Sequence, residues 1–133
     1  MNGKRPTFQL GTTFWTNPKH PHLPSHLHLV ISDPSKNAGE IAVVNVTTLR
    51  NEYDPSCILA PGDHPAIRHE SFVGYKRGWV VNLNALKMLL DAAQIHRALE
   101  LSPAVLVRVQ KGAMASPKTP PRIKGLLAEQ GLA

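Results

Sequence analysis

Hydrophobic and polar positions along this chain follow short periods in its first two-thirds and longer ones after that. HLHLVIS (26–32) alternates, with His26, His28 and Val30 on one side and Leu27, Leu29 and Ile31 on the other, and reads as a buried strand. Asp33-Pro34-Ser35 with Lys36-Asn37-Ala38-Gly39 is a turn signal, and EIAVVNVTTL (40–49) is a second strand, so the pair predicts an antiparallel hairpin or meander. SCILA (56–60) is a third strand, closed by the turn Pro61-Gly62-Asp63-His64-Pro65. Ser71–Tyr75 and Trp79–Val81 are two more short strands on either side of Lys76-Arg77-Gly78. Residues 1–26 are rich in Pro, Gly, Thr and His, with Phe14 and Trp15 as the large anchors, and NPKHPHLPSH (17–26), with three prolines in ten residues, reads as a loop.

The period then lengthens. Asn82 or Asn84 can cap a helix over ALKMLLDAAQIHRALEL (85–101), with Leu86, Leu89, Leu90 and Ala93 on one face. Ser102-Pro103 is a cap followed by an N1 proline, predicting a shorter helix that stops near Gly112. The Pro/Lys-rich remainder predicts a partly mobile tail with at most a terminal helical turn. There is no internal repeat. The expected class is mainly β with C-terminal helices (α+β), organised as a domain over 1–100 with a closing helix, then a short helix and basic tail over 101–133.

Composition narrows the function classes. At 133 residues and 42% hydrophobic, the chain can bury one core and is too apolar to be fully disordered. It has no apolar run near the ~20 residues of a membrane span, and no apolar h-region near its start. Its single cysteine, Cys57, excludes an intrachain disulfide, a zinc ribbon and a CxxC redox site, and a reducing, cytoplasmic setting is the expectation. The net charge of +6 is uneven: five basic and two acidic residues in 1–50, five and six in 51–100, five and one in 101–133. Basic ends on a near-neutral middle suit an anionic partner such as nucleic acid, or simply keep a small protein in solution.

Four features could carry chemistry. Among seven histidines, His20, His22, His26 and His28 crowd into nine positions. His26 and His28 on one strand face could act as acid and base on a phosphodiester, or join His64 or His69 around a metal, or make only local hydrogen bonds. Asn45 and Thr47 share a face near the end of the second strand, where a hydroxyl can hold a phosphate. The proline-fixed PGDHP loop, followed by Arg68, His69, Glu70 and Ser71, would present Asp63 and His64 rigidly, as an orienting pair or as a plain turn. Tyr75-Lys76-Arg77-Gly78-Trp79 sets cations between aromatics, as a nucleic-acid surface does, or as a hairpin whose rings pack inward.

In order and spacing, Phe14-Trp15, HLHLVISDP (26–34), VVNVTT (43–48), CILAPGD (57–63) and HESFVGYKRGWVVNLNALKMLL (69–90) resemble the PemK/MazF-like toxin family. The resemblance spans roughly residues 8–95 and implies a small SH3-like β-barrel with a C-terminal helix. It also implies an endoribonuclease that cleaves single-stranded RNA without a metal or other cofactor, a cognate antitoxin, and pairing of two barrels as a homodimer. The family uses an Arg before its VLS-type strand and a Thr or Ser at the end of its PxTS-type strand. The Thr falls on Thr47, or one place later on Thr48; the Arg position holds His26, followed by Leu27 instead of Pro.

On this basis the catalytic candidates are His26 and His28, as base or acid, and Thr47 as phosphate holder. Arg68 or Lys76 would stabilise charge, and His69, Tyr75 and Arg77 would complete the RNA-binding face. No metal site is assigned. Two other classes fit the residues: a non-catalytic toxin barrel that binds a protein such as a topoisomerase, and a metal-dependent hydrolase built on the histidines.

Overall fold

The computed structural model describes residues 7–16 and 26–132, so His20 and His22 lie outside the described residues. The first strand, β1 (Thr13–Thr16), is followed by β2 (Leu27–Val30), β3 (Glu40–Thr48) and the short β4 (Ile58–Leu59). Then come β5 (Ser71–Asn82), α1 (Leu83–Asp91), β6 (Ile95–Ala98), α2 (Pro103–Ala115) and α3 (Pro121–Glu129). The strands form one antiparallel sheet in the order β4-β5-β3-β2-β1-β6. Its two edges curl towards each other: His64, just after β4, donates from Nε2 to the carbonyl of Leu99, just after β6. The Thr13 hydroxyl donates to the same carbonyl at 2.6 Å. The architecture is α+β, a half-barrel sheet with three α-helices among the described residues.

Strand alternation produces two cores. Leu27, Leu29, Val44, Val46, Val73 and Tyr75 pack with Val105, Val109 and Ala113 of α2 and Ile123 and Leu127 of α3. On the opposite face, Phe14, Val30, Ile41 and Val43 pack with Leu86 of α1 and Ile95 of β6. The Tyr75 hydroxyl donates to the Val109 carbonyl at 2.6 Å, which ties β5 to α2. Gly112 lets that helix lie close, because a Cβ there would press on the Tyr75 hydroxyl and stand 2.9 Å from Cys57 Cβ and 3.0 Å from the Ser56 carbonyl. Gly112→Ala is therefore expected to destabilise: overpacking costs ~1–3 kcal/mol, against a helix-propensity gain of ~1 kcal/mol. Denaturant melts would read a net loss; a gain would mean the contact is slack.

Three predicted elements differ. Residues 71–82 form one strand instead of two, because both halves pair with the nine-residue β3 and the chain does not reverse between them. Val43 faces Trp79 and Asn45 faces Gly74, so Tyr75–Gly78 bulge opposite the single residue Val44. The helix expected over 85–101 ends at Asp91. Ala93 takes φ +58°, and the amides of Ala93 and Gln94 bond back to the carbonyls of Leu90 and Leu89. This is a Schellman stop without the usual glycine, and it releases Ile95–Ala98 to pair with β1. The region beyond Gly112 holds more than a terminal turn. α2 continues to Ala115, and α3 buries Ile123, Leu126 and Leu127 against the sheet. Gln130 fastens its far end, accepting from the Asp33 amide at 2.8 Å and donating to Asn37 Oδ1 at 2.7 Å.

Candidate functional site

One end of the sheet gathers the chemistry. The β2–β3 register pairs Leu27 with Val46 and His28 with Asn45; continued by one residue, it sets His26 beside Thr47. Thr47 and Thr48 in turn face Phe72 and Ser71 at the start of β5. Arg50 follows β3 by two residues, and Arg68 and His69 precede β5, so all of them come to the same end. There His26, Thr47, Thr48, Arg50, Arg68 and His69 line a cleft of ≈ 250 Å³ with Trp15 on its wall. Gly74, opposite Asn45, leaves room for that side chain, since a Cβ there would sit 2.7 Å from Asn45 Oδ1 and 3.8 Å from Thr47 Oγ1.

The lining of the cleft is cationic. No carboxylate lines it among the described residues, whereas His26, Arg50, Arg68 and His69 all do. The two ion pairs among the described residues, Arg108–Asp63 at 3.0 Å and Arg122–Glu40, use other cations. Partial burial, and then the nearby charges of Arg50 and Arg77, push the His26 imidazole below its ordinary value of 6.5. The shift favours the neutral imidazole, with the guanidinium groups of Arg50 and Arg77 nearby. Thr47, half-buried, supplies a hydroxyl beside it.

Of the residues singled out from sequence, His26, Thr47, Arg68 and His69 meet in the cleft, and Arg77 lies near enough to act on His26. Lys76 is exposed on the β5 bulge and does not line the cleft. His28 and Tyr75 need correction, because both are core residues. His28 is 3% exposed, its ring stacked on Phe14 at 5.1 Å, with Nδ1–H donating to the His26 carbonyl at 2.9 Å. Through Nδ1 it holds the backbone of His26. Tyr75 is 0% exposed, so its ring offers no face to a base; burial drives its hydroxyl pKa upward.

Asp63 and His64 do not form an orienting pair. Asp63 accepts from the Ala60 amide at 2.8 Å and from Arg108, while His64 accepts at Nδ1 from the Ala66 amide at 3.0 Å. No group of three His, Cys, Asp or Glu side chains placed to hold a metal occurs among the described residues. The strand histidines therefore do not converge with His64 or His69 as a three-ligand set. Sequence reasoning missed Arg50 and the wall position of Trp15. A cation two residues beyond a strand-end hydroxyl was the available signal for Arg50.

No family model matches the chain, and no curated protein does. Among solved structures, it is similar to an endoribonuclease in complex with its cognate antitoxin from Mycobacterial species, with a TM-score of 0.51. The likeness covers 85% of this chain and 95% of that one, at 11% sequence identity. The two share a fold. No helix among the described residues is long and apolar enough to cross a membrane.

The buried imidazoles make stability depend on pH. His26 and His28 are both held below 6.5, each chiefly by burial. The unfolded chain takes up protons near that value while the folded one refuses them, so stability falls as pH drops below about 6.5. Thermal melts should be level above pH 7 and decline between pH 6.5 and 5. Asp33, Asp54 and Asp63, all held below their ordinary 3.8, stay ionised across that window and do not interfere. His28→Leu should flatten the slope; an unchanged slope would locate the proton uptake elsewhere.

Proposed function

We propose that the chain is a toxin-type endoribonuclease, a divergent relative of the PemK/MazF-like proteins, that cleaves single-stranded RNA by metal-independent transesterification. The observation that carries this reading is the cleft, lined by no carboxylate among the described residues, that brings His26 and Thr47 together with Arg50 and Arg68. His26 takes the proton of a ribose 2′-hydroxyl, and O2′ forms a bond to the adjacent phosphorus. The P–O5′ bond breaks, and His69 protonates the departing oxygen. The products are a 2′,3′-cyclic phosphate and a 5′-hydroxyl. Arg50 and Arg68 stabilise the charge that builds on the phosphoryl oxygens, and Thr47 Oγ1 donates to one of them. The permanent charge that the family's Arg would bring to the position of His26 comes here from Arg50 and Arg77.

The shared fold with an endoribonuclease supports the same reading, and its bound antitoxin supports a partner of that kind for this chain. An acidic antitoxin segment would be drawn to the cationic rim, and a homodimer of barrels in the cytoplasm is the expected working form. The reaction requires the 2′-hydroxyl at the cut. An RNA with a single 2′-deoxy residue 5′ of the cut site should therefore remain intact there, as read on a sequencing gel. Cleavage at the deoxy position would overturn transesterification.

A further inference from the structure

Beyond Arg68 the cleft opens into a second one of ≈ 540 Å³, and the two share Trp15, Ala66 and Arg68. Their walls differ in chemistry. The first offers hydroxyls and cations. The second is faced by Trp15, Pro65, Ala66, Ala98 and Leu99, together with His64, whose two nitrogens are engaged by the Leu99 carbonyl and the Ala66 amide. Leu99 is 65% exposed, a large side chain left to water at the rim. Trp15 is half-buried where the two clefts meet. Its indole makes no ring contact among the described residues, whereas Phe14 stacks on His28 and Tyr53 lies against Phe72.

We infer that this second cleft is a nucleobase subsite. It takes the base of a nucleotide adjoining the phosphate held in the first cleft, flat against Trp15 and bordered by Leu99, with Arg68 at the shared phosphate. A phosphate site joined to an aromatic, apolar shelf matches a nucleotide's own division into anion and flat ring. Because the shelf has few free hydrogen-bonding groups, it grips the face of the base and not its edge, so it adds affinity for any base more than choice among bases. The inference rests on the RNA-cleavage reading of the first cleft.

The test uses the full chain with Trp79→Phe, which leaves Trp15 as its one tryptophan. The probe is a 2′-O-methylated tetranucleotide that cannot be cleaved, compared with versions lacking the base at one position at a time. The full probe should quench Trp15 fluorescence. Removal of one particular base should abolish the quench and weaken binding roughly tenfold to a hundredfold. Leu99→Ser, at an exposed position, should weaken the full probe several-fold and leave that abasic probe unchanged. Equal binding of all probes with no Trp15 response would overturn the subsite alone. Binding by none of them would overturn the phosphate cleft as well, and the subsite with it.

Discussion

His26→Ala is expected to lower RNA cleavage by about 10²–10⁴-fold, the usual worth of a positioned general base, while the protein stays folded. The substitution keeps the backbone carbonyl that accepts from His28 Nδ1, so the start of β2 is not disturbed. It also leaves both cores untouched. The same residue sets the low-pH side of the wild-type profile. As His26 must be unprotonated to act, the rate should rise with pH around a midpoint below 6.5, because burial, Arg50 and Arg77 all oppose its charge. Single-turnover rates across pH 4.5–8, with circular dichroism on the variant, measure both. A folded variant that cleaves at the wild-type rate would remove His26 from the chemistry.

Arg50→Gln carries the second large effect. Its guanidinium lines the cleft, is exposed, and makes no ion pair among the described residues, so the fold does not depend on it. Loss of one donor aimed at developing negative charge typically costs about 10²-fold or more in rate. Arg50 is also the larger of the two charge influences on His26, after burial. Removing it should shift the midpoint of the pH profile upward, towards 6.5. The paired readout separates chemistry from structure: a slower enzyme with an unmoved midpoint would mean that Arg50 does not act on His26. Arg77→Gln should shift the midpoint the same way with a smaller effect on rate, since Arg77 acts on His26 without lining the cleft.

Much of the sheet was legible because alternation is a local signal. HLHLVIS and EIAVVNVTT carry it strongly, and the observed β2 and β3 fall within the predicted runs. What escaped were features decided by partners distant in sequence or by backbone conformations without a sequence mark. The break at Ala93 lacked its usual glycine, and IHRA (95–98) became a strand only because β1 offered it an edge. The Tyr75–Gly78 excursion had the composition of a turn, and only its register against β3 makes it a bulge. In α3, Ile123, Leu126 and Leu127 fall at helical spacing after Pro120-Pro121, yet the surrounding lysine and proline content masked them.

The site was legible in type but not in assembly. His26 and Thr47 could be paired on paper, because strand register extends from one residue to the next. His28 shares the parity of His26, and parity alone cannot tell an open strand end from a buried strand centre. The stacking of His28 on Phe14 decides that, through β1, which packs beside β2. Arg50 belongs to no motif, and it enters the site only because β3 ends where β2 begins.

Incubation of the purified protein with end-labelled single-stranded RNA in EDTA, followed by mapping of the product ends, tests the central claim most directly. Cleavage leaving 2′,3′-cyclic phosphate and 5′-hydroxyl ends is the expected result. RNA left intact by a folded protein, or cut only after zinc or manganese is supplied, would contradict a metal-independent transesterification at the His26 cleft.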